Sequence, residues 1–438
     1  MRPTALAAAA TLALGVLSPA PAIVAQEEPQ AFVGAKLITI TRGVIEPGVL
    51  IVHRGKIVAA GRRSEVEIPG GAHRHDVAGR VILPGLVDTH SHIGGGWAAD
   101  GSSPIQPGVR VLDSIDVRDH GFQRAQAGGI TTINVMPGSG HLMSGQTVYL
   151  KARDADTIEA LTIRRADGRI LGGMKMANGT NSRRDPPFPG TRGKSAALVR
   201  EAFVAAEAYR EKRATVDPDK RPDRDLGMEA LLEVLDGTRI VHHHTHRHDD
   251  VLTVLRLQKE FGFRVVLHHV SEGWKVADVI AAAGVGSSLI VVDSPGGKLE
   301  ARDLLLKTGA VMERAGAKIA FHTDDWITDS RLFLRTAALA VRAGMSRDGA
   351  LGALTLAPAE MIDLGDRIGS LDPGKDADFV LLDGDPLSVY TKVFETWVEG
   401  QKVFDRSDPQ DRLWAVGGYG AGNPREGQLC CFGEGGWE

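Results

Sequence analysis

The sequence predicts an α/β protein: a (β/α)8 TIM-like barrel over residues 82–360, and a small β-sandwich domain built from both ends of the chain, 28–80 plus 362–405. Three observations carry this expectation. Between the ends, apolar β-rich runs alternate with helix-spaced patterns, as βα units around a parallel sheet require. Short strand-like runs of similar texture recur at both ends. Polar residues able to bind metal gather at the carboxyl ends of the inner runs, where barrel sites are built. The 438 residues suffice for one large barrel and a smaller domain. A hydrophobic content of 43% excludes global disorder, and a net charge of −4 gives no nucleic-acid surface.

In chain order, residues 1–25 read as a secretory signal peptide. Arg2 is a minimal positive start, 5–17 is an apolar run too short to span a bilayer, and Ala20-Pro21-Ala22 or Ala25 offers a cleavage site. The protein is therefore expected to be exported, periplasmic or secreted. No later segment is long and apolar enough to span a membrane. Residues 32–40, 49–52 and 56–61 have β character. The run Val81-Ile82-Leu83-Pro84-Gly85-Leu86-Val87-Asp88-Thr89-His90-Ser91-His92 then ends in two histidines one residue apart. Residues i and i+2 of a strand share a face, so both imidazoles can reach one point. Two convergent imidazoles suit a divalent ion such as zinc. An isolated His-x-His is more often an ordinary loop entry, but here further ligand types follow on later strands.

Residues 129–135, 173–177, 239–244, 264–269 and 318–324 read as those later strands. A helix is predicted over 195–212, with Leu198, Ala202, Ala205 and Tyr209 at helical spacing. Asp249 and Asp250 suit the start of another. Segments 181–194 and 214–225, rich in Pro, Arg and Asp, read as long loops, the first overhanging the site. Residues 378–383 and 396–403 are expected to be strands. The two cysteines, Cys430 and Cys431, are adjacent in a glycine-rich tail, 414–438, that reads as peripheral; neighbouring cysteines bridge each other only with strain.

In barrel order the strand ends offer His90 and His92, Lys175, a histidine among His242, His243, His244, His246 and His248, then His268 or His269, and Asp324. This set resembles the amidohydrolase superfamily. Pro137-Gly138-Ser139-Gly140, Gly145-Gln146, Gly173-Met174-Lys175-Met176-Ala177, Glu272-Gly273-Trp274-Lys275-Val276-Ala277-Asp278 and Ile368-Gly369-Ser370-Leu371-Asp372-Pro373-Gly374-Lys375-Asp376-Ala377-Asp378 narrow it to the imidazolonepropionase-related branch with prolidase-like members.

The resemblance implies one or two divalent metal ions, zinc first, held by His90, His92, Lys175, His244, His269 and Asp324. His244-Thr245-His246-Arg247 resembles the family's His-Ala-His-Arg, whose first histidine is the ligand. His246 would face the substrate, and His268 would point into the barrel wall. Lys175 would become a carbamate bridging two metals. Asp324 would act as ligand and general base, although an aspartate after a strand is often only a helix cap. Gly179-Thr180-Asn181 departs from the family's Gly-Glu-Asn, which puts metal number in doubt. Among Arg183, Arg184 and Arg192, the last is the candidate clamp for a substrate carboxylate. The implied reaction is hydrolysis of a carbon–nitrogen bond in a small molecule: an amide, cyclic amide or peptide-like bond. A prolidase-like dipeptidase, a deaminase and a degenerate extracytoplasmic binding protein are the alternatives. A homo-oligomer is compatible with the sequence.

Overall fold

The structure, a computed structural model, describes residues 28–95, 98–215, 217–291, 298–325 and 327–417. The expected signal peptide and the two cysteines lie outside the described residues.

The first strands are Gln30–Ile38 (β1), Val44–His53 (β2), Lys56–Arg62 (β3), His73–Asp76 (β4) and Val81–Pro84 (β5). Then come Leu86–Ser91 (β6), Ile130–Val135 (β7), Met143–Gln146 (β8), Val148–Lys151 (β9), Met174–Ala177 (β10), Val241–Thr245 (β11), Val265–His269 (β12), Gly286–Leu289 (β13) and Lys318–Phe321 (β14). Phe379–Leu382 (β15), Val393–Val398 (β16) and Gln401–Asp405 (β17) close the set.

Strands from the two ends share one sheet, in the order β17-β16-β15-β5-β1-β2-β3, with β4 also on β1. β5 is the join: it runs parallel to β1 on one side and antiparallel to β15 on the other. Alternation puts Phe32, Leu50, Val52, Phe379 and Trp397 in one apolar cluster and Ala31, Val49 and Ile51 in another. One hydrogen-bonded path runs unbroken through all these strands, which line both clusters. The run 396–403, expected as one strand, is a hairpin. Its turn is at Glu399 and Gly400, both at positive φ.

The apolar run that leads to His90 is also two strands rather than one. The chain passes from the composite sheet to the inner sheets at Gly85, so Val81–Pro84 belongs to the former. A Cβ at Gly85 would stand 2.2 Å from Thr131 Oγ1, so only glycine lets the chain cross so close to the start of β7.

The inner strands form two arcs, β6-β7-β9 and β14-β13-β12-β11-β10-β8. Pairing is parallel between β6 and β7 and throughout β10 to β14. β9 and β8 run antiparallel to β7 and β10. The strictly parallel eightfold repeat predicted from sequence is therefore interrupted at residues 143–151, and the hydrogen bonds do not close one continuous barrel. The arcs meet at their far edges instead: Ser91 bridges Asp325, and Asp324 N–H donates to His90 O at 2.9 Å. Among the described residues no helix is long and apolar enough to cross a membrane.

A buried ionic seam joins the inner sheets to the composite sheet. Lys151 Nζ lies 2.9 Å from Asp376 and 2.5 Å from Asp378, all three nearly inaccessible. The start of the expected peripheral tail is packed: Trp414, in the helix Pro409–Val416, stacks on His120.

Candidate metal centre

Each strand end delivers its side chains by simple alternation, with one exception. At the end of β6, His90 and, one residue past the strand, His92 bring their rings within 5.1 Å. On β11, His242 and His244 face inward. His243 turns the other way, its Nδ1 near the His244 carbonyl, among Leu142, Arg192 and Asp250. His246 continues the inward series, its ring 4.7 Å from that of His244.

The exception is β12, where both histidines face in. His268 contacts His242 and His90, and His269 contacts His244 and His246. The strand ends at His269, where φ turns to +70°, and Val270 follows at +49°. That left-handed turn brings His269 back to the face His268 already occupies, so His268 lies inside rather than in the wall. Non-glycine residues adopt this conformation at a cost, usually met by surrounding contacts.

Asp324, also at positive φ (49°), reaches the same space from the end of β14. Its Oδ1 lies 3.1 Å from His92 Nε2 and 3.3 Å from His90 Nε2; its Oδ2 lies 3.9 Å from His269 Nδ1. Asp88 sets this position from behind. Its Oδ1 accepts from His90 N–H at 3.1 Å and Thr323 N–H at 3.2 Å, and its Oδ2 accepts from the Thr323 hydroxyl at 2.5 Å. Lys175 is fully buried, with Nζ 2.9 Å from His90 Nε2 and 3.0 Å from Met136 Sδ.

The electrostatics follow from burial. It depresses His242, His246 and His322 to about 3, and His90, His244, His268 and His269 well below their ordinary value. These imidazoles are held neutral, the form that binds metal. Burial lowers Lys175 to about 7, with Asp324 opposing and Lys298 adding to the fall. Burial alone would raise Asp324, but the His92 hydrogen bond and charge, with His322 and Lys175, outweigh it. The carboxyl is held below its ordinary range, ionised.

The donor set fits a divalent cation. Ligand atoms of His90, His269 and Asp324 lie within 4.8 Å of one another, and so do those of His244, His246 and His269. Both ring nitrogens of His244, and Nε2 of His246 and His269, are buried with no hydrogen-bond partner. Unpaired buried polar atoms are costly, and several converging on one space mark an ion site.

Arg192, the candidate carboxylate clamp, is already engaged. Its Nε lies 2.9 and 3.0 Å from the two oxygens of Asp250, and its guanidinium 3.9 Å from Glu300. Arg183 donates to Gly179 O, and the Arg184 guanidinium stacks on Phe188. Thr180 N–H donates to Glu300 Oε2 at 2.8 Å, so a buried carboxylate from a different segment stands beside the position where Thr180 lacks one. Sequence reasoning missed Glu300 and Lys298, which enter after β13 with no motif. It also missed His322, although His322 directly precedes Thr323 and Asp324.

Residues 81–404 match the amidohydrolase family. An amidohydrolase from Thermotoga maritima MSB8 superposes with a TM-score of 0.78 at 31% identity, covering 86% of this chain and all of that one. The amidohydrolase tasK of Hapsidospora irregularis is 26% identical over 391 residues, 82% of this chain, which spans only 40% of that longer protein. The chain belongs to the amidohydrolase family, and it is an enzyme of the class that hydrolyses carbon–nitrogen bonds. Within the family it falls in the imidazolonepropionase-like branch. The imidazolonepropionase of Sphingopyxis alaskensis is 25% identical over 400 residues, covering 83% of this chain and 94% of that one.

Proposed function

We propose that this enzyme hydrolyses an amide, cyclic amide or peptide-like carbon–nitrogen bond in a small molecule, with zinc as the resident ion. The observation that carries this is the convergence of the unpartnered nitrogens of His244, His246 and His269 on the space bounded by His90, His92 and Asp324. His90, His92, Lys175, His244, His269 and Asp324 would hold one or two ions, and His246 would face the substrate beside them. A bound zinc supplies a water of lowered pKa and an electrophile for the scissile carbonyl.

The chain's own groups do the rest. The Asp324 carboxylate, ionised and held by His92, accepts a proton from the attacking water and later delivers it to the departing nitrogen. His246 rests its Nδ1 on the Ser271 hydroxyl at 2.8 Å, a group that can donate or accept. Its Nε2 can therefore carry a proton and face the oxyanion. Lys175, buried and held near its neutral form, can add to carbon dioxide through Nζ with release of one proton to solvent, and the resulting carbamate would supply an anionic ligand to the ions. Export is proposed on residues 1–25, whose composition matches a cleaved signal.

The test is a turnover screen of zinc-loaded and chelator-treated protein on N-acyl amino acids, dipeptides and cyclic amides. Zinc-dependent release of a free amine or opened ring is expected for one class. Equal activity after chelation would overturn the metal role.

A further inference from the structure

His322 has no part in the scheme above, yet it lies at the centre of the buried cluster. Its Nε2 is 3.2 Å from His269 Nδ1, and its Nδ1 is 2.9 Å from Ser288 Oγ. Ser288 Oγ is in turn 2.7 Å from Thr89 Oγ1 on β6. One chain of hydrogen bonds thus runs from β12 through the end of β14 and β13 to the strand that carries His90. We propose that His322 is a positioning residue: it accepts the Nδ1–H of His269 and so fixes which nitrogen of His269 faces the metal space. The inference rests on the metal reading of the site.

The argument is one of donors and acceptors. A neutral imidazole has one N–H and one lone pair. His269 Nε2 is the nitrogen without a protein partner, so it is the one available to an ion. If its lone pair goes to the ion, the proton must sit on Nδ1 and donate to His322 Nε2. His322 then carries its own proton on Nδ1 and donates to Ser288, whose hydroxyl donates to Thr89. In the reverse arrangement every proton in the chain moves one step and His269 Nε2 carries a hydrogen, which closes it to metal. His322 therefore does for His269 what a carbonyl or carboxylate usually does for a metal-bound histidine. His322 also lies close to His90 and His268, with ligand atoms within 4.8 Å. Both its nitrogens are occupied, however, so it is placed to orient a ligand rather than to be one.

The test uses the full chain with 15N-labelled histidine, together with zinc affinity and stoichiometry by competition with a chromogenic chelator. In zinc-loaded wild type, His269 should carry its proton on Nδ1 and His322 on Nδ1, read from the nitrogen shifts. His322→Phe keeps a ring but no acceptor and should weaken zinc binding about 10–100-fold at unchanged stoichiometry. His322→Gln, whose Oε1 can accept, should recover most of that loss; a merely structural role would show no such rescue. If His322→Phe fails to fold, the nitrogen shifts of wild type decide the matter alone. A proton on His322 Nε2 in the zinc-loaded protein overturns the proposal, as does a folded His322→Phe with affinity within about twofold of wild type. Loss of a whole equivalent of zinc, with the remainder bound normally, makes His322 a ligand and also overturns it. A wild type that binds no zinc removes the metal reading itself.

Discussion

Replacing Asp324 with asparagine isolates its charge from its shape. The side chain keeps its size, so contacts at 3.1 and 3.3 Å to His92 and His90 can persist as hydrogen bonds. The backbone also tolerates the change. Residue 324 sits at φ 49°, a region asparagine enters more readily than most residues, whereas Asp324→Ala would add strain. What is lost is a carboxylate that touches both His90 and His92. General base catalysis is worth about 10²–10⁴-fold, or roughly 3–5 kcal/mol of barrier. The assay is kcat on whichever substrate class turns over, with zinc content measured on the same samples. A loss of about 10²–10⁴-fold in kcat is expected while much of the zinc stays bound, the weakened ligand accounting for the remainder. A folded, zinc-loaded Asp324→Asn that turns over within about threefold of wild type would remove Asp324 from the proton path.

Three further outcomes are expected. If Lys175 is carbamylated, reconstitution with zinc and bicarbonate should load two ions in wild type and one in Lys175→Ala; one ion in wild type under all conditions refutes the bridge. Asp88 is buried and pushed up to about 7, chiefly by burial. Its proton is bound more tightly in the fold than in the unfolded chain, so stability should fall as pH rises from about 4 to about 7, by at most about 4 kcal/mol. In Asp88→Asn this part of the fall should vanish from urea midpoints taken across that range, and an unchanged slope would count against it. Finally, a Cβ at Gly173 would lie 2.2 Å from His242 Cδ2 and 2.6 Å from Ile240 O. Gly173→Ala should therefore destabilise by roughly 1–3 kcal/mol in urea unfolding, whereas an unmoved midpoint would show that both the ring and the Ile240 backbone give way without cost.

Much of the site is legible in the sequence because alternation along a strand is rigid. His90 with His92, and His242 with His244 against His243, follow from a period of two. The rule fails at His268 and His269, where a left-handed turn puts neighbours on the same face and no residue type announces it. Side-chain pairing is equally hidden. Arg192 reads as a free cation in a loop, yet it opens the helix Arg192–Arg213 and is spent on Asp250 and Glu300. Short strands with few apolar residues, such as β8 and β13, leave little periodicity to read. The split at Gly85 is masked because both halves of the run are buried and apolar.

That split has a consequence for synthesis on the ribosome. β5 is fully buried in the finished protein, but its second neighbour, β15, is encoded roughly 300 residues later. At about 5–20 residues per second the nascent chain carries β5 with one open edge for roughly 15–60 s. During that interval an apolar strand offers unpaired backbone groups to any passing extended segment. Lys151 likewise waits for Asp376 and Asp378. Production of this protein is therefore exposed to mispairing while translation lasts, and slowing elongation should lower soluble yield more than it would for a chain whose sheets close in the order they are made.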